Sequence, residues 1–270
     1  MLGLLPRSAT VGGSAIFEGS DLLAHGGRFA RTVRGGRVAM VFQDPQTSLN
    51  PYHSVGRQVY EAVRLHRAGS ASAARTRVIE LFREVGIPDP EGRVHAYPHQ
   101  MSGGLRQRVL IAMALAGDPE LVIADEPTTA LDVTVQAQIL ALFRRLAETR
   151  GLSLLLITHD LGVVAELADE VAVVYAGRVV ECAPAADLFA DPRHPYARGL
   201  LKSIPSTQGD PLTSIPGHPP DPRNLPAGCP FRDRCEYAVD TCTKTEPDLI
   251  AHGGGRRALA CPVTTPGTPA

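Results

Sequence analysis

Leu121-Val122-Ile123-Ala124-Asp125-Glu126-Pro127 is an apolar run that stops on two carboxylates. A strand with this ending delivers Asp125 and Glu126 to the C-terminal edge of a sheet, the edge where α/β folds bind ligands. Upstream, Ser102-Gly103-Gly104 opens a helix predicted over 103–116, with Leu105, Val109, Leu110 and Met113 on its apolar side. Downstream, the pattern predicts a helix over 133–148 and an apolar strand over 153–158 that leads into His159-Asp160. A helix over 161–168, a strand over 171–175 and a hairpin strand over 178–181 follow. Helix and strand in regular alternation specify an α/β fold with a mainly parallel sheet. The strand at 153–158 is apolar on both sides, so it is expected to be covered on both faces.

Further out the texture changes. Residues 1–42 read as β-rich, with Ile16-Phe17 and Val38-Ala39-Met40-Val41-Phe42 as short strands between Gly-rich turns. Residues 43–100 are more polar and hold a helix around 72–85, where Ala74, Val78, Leu81, Phe82 and Val85 share one face. From about residue 205 prolines become dense, which excludes regular helix or central strand. The expected organisation is a core over 1–204 with a helical subdomain at about 52–116. A Pro-rich linker over 205–225, a cysteine-bearing module over 226–263 and a disordered tail over 264–270 complete it.

The 270 residues are 44% hydrophobic and 20% charged, with a net charge of −1, so no basic surplus points to nucleic acid as partner. No run of 18 or more apolar residues is present to span a membrane, and the N-terminal residues lack the charged start and long apolar core of a signal peptide. The expected location is the cytoplasm. Lysine occurs only at Lys202 and Lys244, and neither follows a glycine, so no G-x-x-x-x-G-K-[ST] phosphate loop occurs in these residues.

Several side chains carry chemistry. Asp125 is a candidate Mg²⁺ ligand and Glu126 a candidate for polarising water. Ser102 is an N-cap, and with Gly103 and Gly104 it leaves backbone N–H groups at a helix start, where an anion is favoured. His159 offers a neutral imidazole to a terminal phosphate, and the Gln43 amide can ligate Mg²⁺ or orient water. Each of these is ordinary alone. S-G-G-x-x-Q-R followed by a strand ending D-E-P is far more specific.

Five stretches together resemble the nucleotide-binding subunits of ABC transporters, and more narrowly the dipeptide, oligopeptide and nickel importers. They are Val41-Phe42-Gln43-Asp44-Pro45-Gln46-Thr47-Ser48-Leu49-Asn50-Pro51, Tyr97-Pro98-His99-Gln100-Met101-Ser102-Gly103-Gly104, Ala124-Asp125-Glu126-Pro127-Thr128-Thr129-Ala130-Leu131-Asp132-Val133-Thr134, Ile157-Thr158-His159-Asp160-Leu161 and Arg193-His194-Pro195-Tyr196. The resemblance implies a P-loop NTPase-like ABC ATPase core that uses ATP and Mg²⁺. It makes Glu126 the catalytic base, His159 the γ-phosphate sensor, Gln43 the Q-loop glutamine and Asp125 the Mg²⁺-side carboxylate. It places Ser102, Gly103, Gly104 and Gln107 in the signature that meets ATP held by an opposing subunit, and Asp132 in the loop that crosses that interface. Residues 44–60 would receive a membrane subunit. The implied partners are a second, non-identical ATPase subunit, two transmembrane permeases and, indirectly, a solute-binding protein. The implied place is the cytoplasmic face of the cell membrane.

The family's phosphate-loop segment would stand before Met1, and a truncated gene model is the expected reason that it is missing here. The other reading is a non-hydrolysing scaffold that lends only its signature to a partner's ATP site. Cys229, Cys235, Cys242 and Cys261 cluster near the C-terminus, which in a cytosolic chain favours metal over disulfides. Four thiolates suit tetrahedral zinc or an iron–sulfur cluster, and the resemblance implies a [4Fe–4S] cluster.

Overall fold

The computed structural model describes residues 2–6, 8–67, 69–203 and 214–263, save the side chains of 25–28 and 253. It divides into two compact units, Met1–His159 and Asp160–Ala270.

The first unit begins with a two-stranded hairpin, β1 (Ile16–Phe17) and β2 (Ser20–Asp21), and the helix α1 (Ala24–Val33). The reading of residues 1–42 as β-rich therefore needs correcting at α1. Its Gly26-Gly27 pair carries a turn signal, but Ala30 and Val33 bury against Leu22, Val38 and Ile123, and that tertiary packing overrides local propensity. Strand β3 (Val38–Val41) follows, and then the helices α2 (Pro45–Ser48), α3 (Val55–His66), α4 (Ala71–Glu84), α5 (Pro90–Arg93) and α6 (Gly103–Ala114). Helix α4 matches its expected span and buries the expected face, Ala74, Val78, Leu81, Phe82 and Val85. Ser54 and Ser70 cap α3 and α4, their hydroxyls accepting from Arg57 N and Ala73 N.

Strand β4 (Leu121–Asp125), helix α7 (Val133–Arg150) and strand β5 (Ser153–Ile157) complete this unit. The three longer strands form a parallel sheet in the order β3-β4-β5, with Val41 opposite Ala124 and Asp125 opposite Ile157. Being central, β4 is buried at Val122, Ile123 and Ala124. One expectation differs: β5 is not covered on both faces. It is an edge strand of this sheet, and Ser153, Leu155 and Ile157 on one side are exposed.

The second unit holds α8 (Leu161–Leu167), β6 (Glu170–Tyr175), β7 (Arg178–Pro184), α9 (Ala185–Ala190), α10 (Pro195–Lys202), α11 (Asp240–Lys244), β8 (Ile250–His252) and β9 (Arg257–Leu259). Ala176 and Gly177, both at positive φ, make the tight turn between β6 and β7. The four strands form an antiparallel sheet in the order β6-β7-β9-β8. The cysteine-bearing segment is thus not a separate appendage, because β9 pairs with β7 through Glu181–Leu259 and Cys182–Ala258. Of the expected linker, residues 204–213 lie outside the described residues, as does the tail at 264–270, while 214–225 form neither helix nor strand.

Candidate functional site

Strand β4 ends at Asp125, and the chain then turns sharply at Glu126, whose φ is 44°. A left-handed conformation is strained for glutamate and is tolerated where surroundings enforce it. Here Glu126 N donates to Ile157 O at 2.8 Å, which ties the turn to the end of the neighbouring strand. The Glu126 side chain is 25% exposed and gathers three partners. Gln43 Nε2 and Thr129 Oγ1 each donate to Oε2 at 2.8 Å. His159 Nδ1 lies 3.0 Å from Oε1. A carboxylate only accepts, so Nδ1 carries the proton in this contact. These bonds hold the Glu126 carboxyl below the usual carboxylate range, the His159 bond contributing most and the Thr129 bond next.

Three of the sequence-derived residues, Gln43, Glu126 and His159, therefore meet at one sheet edge, with Asp125 beside them. Thr129 was missed as a functional residue. Its signal was the Pro127-Thr128-Thr129 turn, in which a hydroxyl three residues after Glu126 can reach back to it.

The signature residues form a second surface. Ser102 caps α6, its Oγ accepting from Leu105 N at 3.4 Å, and Ser102 and Gly103 are exposed. Gly104 is buried for a different reason: a Cβ there would lie 2.5 Å from Val135 Cγ1. Asp132 is exposed and caps α7, its Oδ1 accepting from Val135 N at 2.9 Å. Gly104 and Asp132 are thus linked through Val135. Gln107 does not join this surface. It is 1% exposed, and its Nε2 has no hydrogen-bond partner among the described residues.

Asp125, Glu126 and the Gln43 amide oxygen are hard oxygen donors of the kind that Mg²⁺ takes. The ion keeps several waters and substrate phosphates, so one or two protein carboxylates suffice. The cysteines are free thiols. Burial pushes the Cys229 and Cys235 thiols up, and each also feels Cys242 and Cys261. Among the described residues, however, no group of three or more His, Cys, Asp or Glu side chains is arranged to hold a metal ion. As placed, the four thiols do not form a finished ligand set.

In the second unit Arg193-His194-Pro195-Tyr196 wraps a buried carboxylate. Glu181, fully buried in β7, accepts from Arg193 N at 3.1 Å and His194 N at 2.8 Å, with Arg257 Nη1 at 3.6 Å. Tyr175, Tyr196 and Phe231 pack ring against ring nearby.

A carboxylate held at the C-terminal edge of a parallel sheet by a glutamine, a threonine and a histidine stands where α/β folds bind ligands. Comparison with known proteins agrees. The ABC transporter family model matches residues 4–129, and the model for the oligopeptide/dipeptide transporter C-terminal region matches 180–242. A probable peptide ABC transporter ATP-binding protein of Sinorhizobium fredii is 52% identical over 97% of this chain and 79% of its own length. The dipeptide transport ATP-binding protein DppD of Haemophilus influenzae is 47% identical over 100% of this chain and 82% of its own. Among solved structures, the dimeric ATP-binding cassette MJ0796 in a post-hydrolysis state with ADP and Pi superposes with a TM-score of 0.55 and 26% identity, covering 63% of this chain and 72% of that one. The chain belongs to the ABC transporter ATP-binding subunits, in the family of peptide importers.

Proposed function

We propose that this chain energises the import of dipeptides or oligopeptides by hydrolysing ATP at the Glu126 edge. The observation that carries this is the convergence of Gln43, Thr129 and His159 on one carboxylate. Water attacks the γ-phosphorus while the bond to the ADP oxygen breaks. Glu126 takes the water's proton and later releases it to solvent, and ADP and inorganic phosphate are the products. Gln43 and Thr129 fix the carboxylate, and their two bonds to Oε2 leave Oε1 to His159 and the water. His159, 77% exposed, is free to reach a terminal phosphate on its other side. Asp125 and Gln43 would hold Mg²⁺, which when bound would neutralise phosphate charge. The backbone and lysine cradle that grips the phosphates is not among these residues.

The second ATP-facing element is the α6 start. Ser102 and Gly103, exposed at the N-terminus of a 12-residue helix, serve the ATP of an opposing ATPase subunit. The similarity to a dimeric ATP-binding cassette supports pairing with a second subunit, and a non-identical sister is the proposed partner here. Two permeases in the membrane, served by a solute-binding protein, complete the machine. No described helix is long and apolar enough to cross a membrane. The proposed position is at the membrane's cytoplasmic face, beside the permeases.

The four C-terminal cysteines are proposed to take a [4Fe–4S] cluster, with zinc as the other thiolate metal. The support is their number and their clustering in the sequence; among the described residues they are not placed as a ligand set. Thiols pushed up by burial would be deprotonated by the cation itself. Visible absorption and metal content of anaerobically purified protein test this, and a colourless, metal-free protein overturns it.

Peptide uptake tests the main reading. In cells supplied with the permeases and the sister ATPase, uptake should require this chain and fail with Glu126→Gln. Unchanged uptake without the chain would refute it.

A further inference from the structure

The C-terminal end of α3 and the start of α4 border a cavity of about 380 Å³ that the ATPase reading does not use. Arg64, Arg67 and Arg77 line it together with Gly69 and Ser70. Ser70 caps the 14-residue helix α4, so the positive end of that helix faces the same loop. Carboxylates nearby are fewer than the cations. Arg67 and Arg77 share Asp118, which also receives Arg150, and Glu80 sits 3.3 Å from Arg77 Nη1. Arg64 donates to Gly69 O. Arg77 Nε is buried without an acceptor among the described residues.

We propose that this cavity binds a phosphate monoester, an anion whose oxygens can accept from the guanidinium groups of Arg64, Arg67 and Arg77 that line it. Guanidinium forks match the spacing of phosphate oxygens. The cavity exceeds one phosphate group, and Val63, Ala73 and Ala74 give it an apolar wall, so the ester carries a small organic group. The site lies at the far end of α3 from residues 44–54. A 12-residue helix spans about 18 Å, so a ligand here does not occupy the face proposed for the membrane subunit.

Isothermal titration of the full chain with glycerol 3-phosphate and with inorganic phosphate, at constant ionic strength set with chloride, tests the proposal. The expected result is one saturable site, tighter for the ester. Arg77→Gln and Arg64→Gln should each weaken it about tenfold or more. Arg178→Gln, which removes an exposed arginine of the other unit, should leave it unchanged. Arg64 is exposed and, among the described residues, its one hydrogen bond is to Gly69 O, so its variant keeps the test valid if Arg77→Gln fails to fold. Vesicles containing phosphatidic acid form a second arm: Arg64-dependent binding to them but not to the soluble ester assigns the same chemistry to a lipid headgroup. No saturable binding to any probe, or binding unaffected by Arg64→Gln, overturns the proposal.

Discussion

His159 Nδ1 lies 3.0 Å from Oε1 of Glu126, across 33 residues of sequence, and makes the largest contribution to keeping that carboxyl ionised. The contact joins the ends of two neighbouring parallel strands, β4 and β5, because Asp125 and Ile157 stand opposite each other in the sheet.

The first prediction removes the base. Glu126→Gln keeps the shape and the Thr129 contact but cannot accept a proton. ATP hydrolysis by the assembled transporter should fall by about 10²–10⁴-fold. Nucleotide-driven pairing of the two ATPase subunits should persist. Phosphate release and size-exclusion profiles with ATP measure the two separately.

The second concerns pH. Because His159 and Thr129 lower the Glu126 carboxyl, the ionised base survives into acid solution. His159→Ala removes the larger contribution, so the carboxyl moves back up and protonates sooner as pH falls. The acid limb of the hydrolysis profile should shift to higher pH. Thr129→Val should shift it the same way by less, and an unmoved acid limb in both variants would contradict the geometry.

The third tests the packing behind the signature. A Cβ on Gly104 would stand 2.5 Å from Val135 Cγ1, so Gly104→Ala should destabilise the first unit by about 1–3 kcal/mol. Adding Val135→Ala should recover part of that, giving a coupling above roughly 0.5 kcal/mol in a double-mutant cycle read by denaturant unfolding. Additive losses would mean that the two residues do not meet.

The fourth uses a buried histidine. Burial lowers His194 from 6.5 to about 4, and its Nδ1 accepts from Tyr196 N at 3.1 Å. The unfolded chain therefore binds a proton between those values that the folded chain refuses. Stability should be full above about pH 6.5 and fall as pH drops toward 4, by an amount on the order of 3 kcal/mol. His194→Gln should flatten that slope in chemical denaturation of the same chain.

Much of the ATPase site was legible because its markers are local. An apolar run ending in Asp125-Glu126 can only present them at a strand end, and Ser102 before a helical pattern is a cap whatever the rest of the chain does. Helix α1 was hidden because Gly26-Gly27 speaks for a turn, and only burial of Ala30 and Val33 answers it. Glu181 gave no warning at all. Its strand looks like an ordinary hairpin arm, and its burial depends on Arg193, His194 and Arg257, which arrive from a later loop and from β9.

Residue order alone determined the α/β alternation and the two chemical edges of this protein, since strand and helix periods and their end signals act over a few residues. Tertiary structure decided which side chains meet. Gln43 reaches Glu126 from 83 residues away and His159 from 33, through strand register and the turn at Glu126. It also made the cysteine segment part of a four-stranded sheet and set three arginines around one cavity. Such meetings depend on long-range packing and register, which no local pattern encodes.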